Sequence, residues 1–258
     1  MPDMTHHVAL VTGGARGNGA AQCRALVGAG ARVLVTDVLD TEGETLAKDL
    51  GDRAAYQHLD VTREGDWQAA VAAAGERFGL VTVLVNNAGI PGGGIIEETT
   101  LEDWNRVLGV DLTGTFLGMK HVAPSMKSAG SGSIVNISSV QGLRGSAFVY
   151  AYVAAKWGVR GMTKSAAIEF AAHNIRVNTV APGFFDTPMM AGQDATDLEI
   201  PMRRAGDPAE LAKTVVFLAS DDSSYTTGAE IVVDGGLLAG IPLYDSLHGI
   251  QMSGPRPE

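Results

Sequence analysis

The sequence is poor in cysteine and in basic residues and has no long apolar run, and each shortage removes a class of protein. One cysteine in 258 residues, Cys23, cannot close an internal disulfide, so no disulfide scaffold holds the chain. Nineteen Lys and Arg stand against 29 Asp and Glu, a formal net charge of −10. That sign repels phosphate backbones and anionic lipid surfaces, so neither nucleic acid nor a membrane is expected as a partner. No apolar stretch reaches the ~20 residues that a membrane-spanning helix needs. The opening MPDMTHH lacks the basic region and small-residue cleavage site of a signal peptide, which makes a cytoplasmic location the expectation. The six histidines fall at no metal-ligand spacing, and metal and thiol chemistry are not indicated.

What is present points to one α/β domain over residues 1–258. Hydrophobic residues make up 45% of the chain and glycine occurs 33 times, a composition suited to a large buried sheet joined by tight turns. No Pro/Gly/Ser-rich linker divides it, and residues 237–258 read as an irregular tail without helical periodicity. Short β-branched runs at 8–12, 31–37, 81–86, 132–138, 175–181 and 230–235 alternate with helical patterns at 20–29, 41–50, 64–78, 101–126, 152–172 and 208–219. A weaker run at 56–60 makes a seventh strand. Alternation of this kind, with strands apolar almost throughout, predicts parallel βαβ units in a doubly wound sheet of about seven strands covered by helices on both faces.

The first strand runs into Gly13-Gly14-Ala15-Arg16-Gly17-Asn18-Gly19 and then into an Ala-rich helix. Glycines let backbone approach a pyrophosphate, and the free N–H groups and positive end of the helix favour that anion. The spacing is G-x-x-x-G-x-G rather than G-x-G-x-x-G, and a glycine turn needed only for close helix–strand packing remains the alternative. Asp37 ends the second strand 18 residues after Gly19, near the ~20-residue offset of a carboxylate that bonds adenosine ribose. It would repel a 2′-phosphate, so NAD is favoured over NADP; Arg16, able to reach such a phosphate, argues the other way. Asp37 can also be read as a helix N-cap. These features specify a Rossmann-type sheet of three αβα layers.

Tyr152 and Lys156 stand at i and i+4 of a helical pattern, on one face. A free phenol with a pKa of ~10 is a poor proton donor or acceptor near neutrality, and a neighbouring cation favours its phenolate. Ser138 and Ser139 end the fifth strand run, where open parallel sheets bind ligands. The Ser139 hydroxyl is placed to polarise a carbonyl oxygen that Tyr152 protonates, the alternative being strand-end hydroxyls that cap a loop.

Together these residues resemble the short-chain dehydrogenase/reductase family over about Val8 to Gly236, and within it the bacterial 3α,20β-hydroxysteroid dehydrogenase-like branch. The likeness to that branch is carried by QHLDVT at 57–62, SIVNISS at 133–139, KWGVRG at 156–161 and SSYTTGAEIVVDGG at 223–236. The resemblance implies an NAD-dependent alcohol dehydrogenase or ketoreductase that passes hydride between nicotinamide and a secondary alcohol or ketone. Tyr152 would move the proton, Ser139 hold the substrate oxygen, and Lys156 bind nicotinamide ribose. It further places Asp60 and Val61 at the adenine, Asn87, Ala88 and Gly89 along the cofactor, and Pro182, Gly183 and Thr187 at the nicotinamide and its carboxamide. A homotetramer is implied as well.

Two positions depart from the family pattern. Asp111 stands where many members have a catalytic asparagine that holds a water beside the lysine; an aspartate there can pair with Lys156 directly, and an altered pH profile is expected. Asn18 replaces an aliphatic residue between two glycines. Substrate contacts are expected from Gln141, Phe148, Phe184, Phe185 and Met189, a largely apolar set suited to a bulky steroid-like, terpenoid or cyclic alcohol. Two other readings stay open: a non-catalytic dinucleotide-binding regulator, and a reductase of carrier-bound β-ketoacyl groups, which the −10 charge and Asp37 disfavour.

Overall fold

The computed structural model describes residues 2–190 and 200–240. Its centre is one all-parallel sheet of seven strands: β1 Val8–Thr12, β2 Arg32–Asp37, β3 Ala54–His58, β4 Val83–Asn86, β5 Gly132–Ile137, β6 Ile175–Pro182 and β7 Glu230–Val233. Their order across the sheet is β3-β2-β1-β4-β5-β6-β7. The chain therefore winds outward from β1 in one direction, returns, and winds outward from β4 in the other. The β1/β4 boundary is the switch point at which such sheets open a crevice beyond the strand ends.

Alternation along the central strands sends side chains into two separate cores. Leu10, Leu34, Leu84 and Ile134 face one layer, with Trp67, Val122, Met126 and Phe170. Those residues come from helices α3 Glu64–Phe78, α5 Gly114–Ala129 and α6 Tyr150–Phe170. Val11, Val35, Val85 and Val135 face the other layer, with Leu26, Leu46, Leu211 and Leu218, carried by α1 Gly17–Gly28, α2 Asp40–Leu50 and α7 Pro208–Ala219. Both faces of the inner strands are dry, which is why they read as unbroken apolar runs. Capping agrees with the sequence at α7, where Asp207 forms a capping box with Glu210 ahead of Pro208.

Most boundaries shift by one to three residues, and three differences bear on the site. The third strand lies at Ala54–His58 rather than 56–60; it is an edge strand with only Ala54 fully buried, so its pattern is weak. The helix expected over 101–126 is two helices, α4 Leu101–Leu108 and α5, joined by a π-helical turn Gly109–Thr113. Asp111 lies in that turn and is fully buried, and such π-helical turns recur at functional sites. Helix α6 starts at Tyr150, two residues before Tyr152. Of the expected tail 237–258, residues 241–258 lie outside the described residues, while Leu237 is buried beside Val140 and Ile200.

Candidate active site

At the carboxyl ends of β1, β2, β4, β5 and β6 the structure opens a cavity of about 500 Å³. The turn from β1 into α1 forms its floor. Gly13 has φ +60 and an added Cβ would meet the Ala88 backbone at 2.8 Å; a Cβ on Gly19 would lie 2.0 Å from the Gly13 carbonyl oxygen. Internal close approach therefore demands these two glycines before any ligand is considered. The turn is pinned from the neighbouring strand: Asn87 Nδ2 donates to the carbonyls of Thr12 (3.0 Å) and Gly13 (3.1 Å). Thr12 Oγ1 accepts from the Asn87 and Ala88 amides.

No side chain caps α1 and its first turn has no acidic residue, so the opening amides and their partial positive charge stay available to an anion. The Oδ1 of Asn18 is buried without a hydrogen-bond partner. An uncapped helix start and an orphaned acceptor beside it fit a dinucleotide: pyrophosphate at the amides, a donor group at Asn18.

Asp37 is not the N-cap of α2, whose N-cap residue is Leu39. The helix starts too late for that role. The carboxylate instead accepts from Ala15 N (3.0 Å), Val38 N (2.8 Å) and Leu39 N (3.2 Å). It locks the glycine turn to the end of β2 and keeps lone-pair capacity for a ribose hydroxyl. Sequence reasoning missed Tyr56, whose hydroxyl contacts the Asp37 carbonyl (2.7 Å) and Asp40 Oδ1 (2.6 Å) and so braces this corner. No local signal marks an edge-strand tyrosine for that task.

The groups expected to react gather at the other end. Ser139, Tyr152 and Lys156 all line the cavity. Ser139 follows β5 in extended backbone, and its Oγ accepts from the Gln141 amide at 3.1 Å, which leaves the hydroxyl proton to point at a ligand. Ser138 Oγ donates to the Lys156 carbonyl at 2.9 Å and ties the strand end to α6. Lys156 Nζ stands 5.3 Å from the Tyr152 ring centroid, 3.2 Å from the Ile137 carbonyl and 3.0 Å from Asp111 Oδ1. Burial disfavours the ammonium, but the Asp111 carboxylate and then Tyr152 more than offset it, and the lysine pKa is raised. Asp111 itself is fully buried, outside the cavity lining, with Oδ2 accepting from Ile90 N at 3.0 Å. A Cβ on Gly89 would lie 2.7 Å from Asp111 Oδ1, so that glycine makes room for the carboxylate.

The remaining expected residues fall as follows. Arg16, Gly17, Asp60 and Val61 line the groove around the glycine turn; Pro182, Gly183 and Thr187 line it where β6 ends. Gln141, Phe184, Phe185 and Met189 line the substrate end. Phe148 does not: its left-handed backbone (φ 67) turns the ring to solvent at 57% exposure, while its carbonyl accepts from Gly94 N. Ile90, Pro91, Gly92 and Val110 also line the cavity and were not foreseen, because nothing in a single loop sequence shows which side faces a ligand.

A family model described as enoyl-(acyl carrier protein) reductase matches residues 13–238. The chain is 51% identical over 234 residues to a 3-alpha-(or 20-beta)-hydroxysteroid dehydrogenase of Mycobacterium tuberculosis, covering 91% of this chain and 90% of that one. It is 48% identical over 242 residues to a trans-4-hydroxycyclohexanecarboxylate dehydrogenase of Sinomonas cyclohexanicum, covering 90% and 93%. Among solved structures, a gluconate 5-dehydrogenase from Burkholderia cenocepacia in complex with NADP and tartrate superposes with a TM-score of 0.88 at 32% identity, covering 93% of this chain and 98% of the other. With strand order, glycine turn and reactive groups all in place, the chain belongs to the short-chain dehydrogenase/reductase family and is an oxidoreductase of its alcohol dehydrogenase/ketoreductase type.

Proposed function

We propose that the protein is an NAD-preferring dehydrogenase that interconverts a bulky, ring-bearing secondary alcohol and its ketone. The observation that carries this reading is the meeting of Ser139, Tyr152 and Lys156 in one cavity with the glycine turn. A bound nicotinamide dinucleotide supplies or accepts the hydride. Gly17, Asn18 and Gly19 would hold its phosphates and Asp37 its adenosine ribose, with Asp60 and Val61 at the adenine. Asn87, Ala88, Gly89, Pro182, Gly183 and Thr187 would hold the nicotinamide side. Ser139 donates a hydrogen bond to the substrate oxygen, and Tyr152 gives that oxygen its proton as the carbonyl carbon is reduced, or takes it when the alcohol is oxidised. Lys156 fixes the field behind the phenol and binds nicotinamide ribose, and Asp111 holds the lysine in place.

The NAD preference rests on Asp37. Its charge lies on the cavity wall, and the exposed Val38 beside it offers no cation for a 2′-phosphate. A carrier-bound substrate fits poorly, since a chain of charge −10 repels an acidic carrier. For the assembly we propose a cytoplasmic homotetramer. Exposed apolar side chains on α5 and α6 (Phe116, Trp157, Ile168) and around α7 and β7 (Phe217, Tyr225, Val232) are the candidates for self-association.

The test is NADH and NADPH oxidation against a panel of steroid, terpenoid and cyclic ketones. Turnover with NADH is expected, with kcat lowered by about three orders of magnitude or more in Tyr152→Phe. Cofactor binding with no turnover of any ketone or matching alcohol would sink the reading.

A further inference from the structure

The two relatives described above act on ring alcohols of different charge: a hydroxysteroid in one, a cyclohexanecarboxylate in the other. We infer that this chain accepts uncharged ring alcohols and ketones and discriminates against those that carry a carboxylate. This inference rests on the dehydrogenase reading and narrows its substrate class.

Among the described residues, the cavity lining includes only four charged side chains: Arg16, Asp37, Asp60 and Lys156. The first three belong to the glycine-turn end. Lys156, the single cation near the reacting groups, is already matched by Asp111 at 3.0 Å. The substrate end is walled by Ile90, Pro91, Val149, Phe184 and Met189, with Gln141, whose Nε2 donates to Ser146 Oγ at 3.3 Å, as a neutral polar member. Neither Arg144 nor Arg204 lines it; Arg144 is exposed, and Arg204 makes a two-pronged pair with Glu210 at 2.7 and 2.8 Å.

A carboxylate brought to the apolar wall loses its hydration without gaining a counterion. A neutral ring loses only apolar hydration, which favours binding.

The experiment compares size-matched pairs on two scaffolds by NADH oxidation at pH 7.5. These are 4-oxocyclohexanecarboxamide against 4-oxocyclohexanecarboxylate, and a 3-ketosteroid with a side-chain carboxamide against its carboxylate. On each scaffold that is reduced, kcat/KM is expected to favour the amide by about tenfold or more, chiefly through KM, with the gap narrowing as salt rises. Met189→Arg places a cation at the wall and is expected to narrow the gap several-fold. An acid reduced as well as its amide, or a gap that Met189→Arg leaves unchanged, overturns the inference while the dehydrogenase reading stands. Absence of turnover across the whole ketone panel overturns that reading itself.

Discussion

The two ends of the cavity are built on opposite principles. At the glycine turn a dense set of hydrogen bonds fixes the backbone: Asp37 accepts three amides and Asn87 Nδ2 holds two carbonyls, while the first amides of α1 and Asn18 Oδ1 stay open to a ligand. At the substrate end the wall is apolar, loops supply most of it, and Met189 is 51% exposed. The first end is over-determined, so one substitution propagates through the whole turn. The second is held by few interactions, so its side chains can change with little cost to the fold. A scaffold that must bind one cofactor but different alcohols benefits from that division.

The sharpest way to break the contrast is Gly19→Ala. Its Cβ would lie 2.0 Å from the Gly13 carbonyl, a clash with backbone that no rotamer relieves. Cofactor affinity is expected to fall by at least 100-fold, and stability by about 3 kcal/mol or more, the upper range for overpacking. Isothermal titration with NADH and a denaturant melt would measure both. An unchanged Kd would mean that the turn yields far more readily than its packing implies.

The Lys156–Asp111 pair comes next, because it carries the rigid logic of the first end into the reacting centre. Lys156→Met leaves Asp111 charged and buried, at an expected cost of about 3–5 kcal/mol. Adding Asp111→Asn to that variant should recover much of the loss. The lysine pKa is raised in the folded protein, so the stability this pair confers is complete below the ordinary lysine range and disappears as pH rises through the folded value. Melts at rising pH should show the difference between wild type and double variant constant up to about pH 10 and changing only above the ordinary lysine range. Asp111→Asn alone removes the charge facing Lys156, and the acid limb of alcohol oxidation is expected to move to lower pH by about one unit. An unmoved limb would reduce Asp111 to packing.

How far the sequence reaches differs between the ends for the same reason. The glycine turn, Asp37, Ser139, Tyr152 and Lys156 could be picked out because each sits at a fixed offset within a strand–turn–helix unit, and the chain geometry of that unit is set locally. The inner strands were legible because both faces are buried. What escaped depended on long-range or irregular backbone. The π-helical turn at Gly109–Thr113 interrupts an apolar period that reads as one helix. Phe148 faces solvent through a left-handed φ rarely seen in a bulky residue. Tyr56 braces Asp37 from another strand, which no spacing within either segment reveals.

Asp37→Ser tests whether the first end also sets the cofactor. The variant keeps one acceptor for the Ala15 or Leu39 amide and removes the charge that repels a 2′-phosphate, while Arg16 remains exposed nearby. The NADH/NADPH ratio of kcat/KM is expected to fall by about 10- to 100-fold, equivalent to ~1.4–2.7 kcal/mol. A ratio that does not move would shift the discrimination to Arg16 and the glycine turn.

The smallest effect belongs to the loose end. Met189→Ala trims a half-exposed side chain from the cavity wall. Its hydrophobic contribution to a bound ring is about 1 kcal/mol, so KM for a bulky ketone should rise roughly fivefold. The melting temperature and NADH affinity should stay within error, because no turn or ion pair depends on that residue. A matching loss of cofactor affinity would show that the two ends are coupled through the stretch from Pro182 to Met190, whose Thr187 packs 3.5 Å from where a Gly17 Cβ would stand. Steady-state KM and titrated NADH affinity on one variant thus separate a modular cavity from a coupled one.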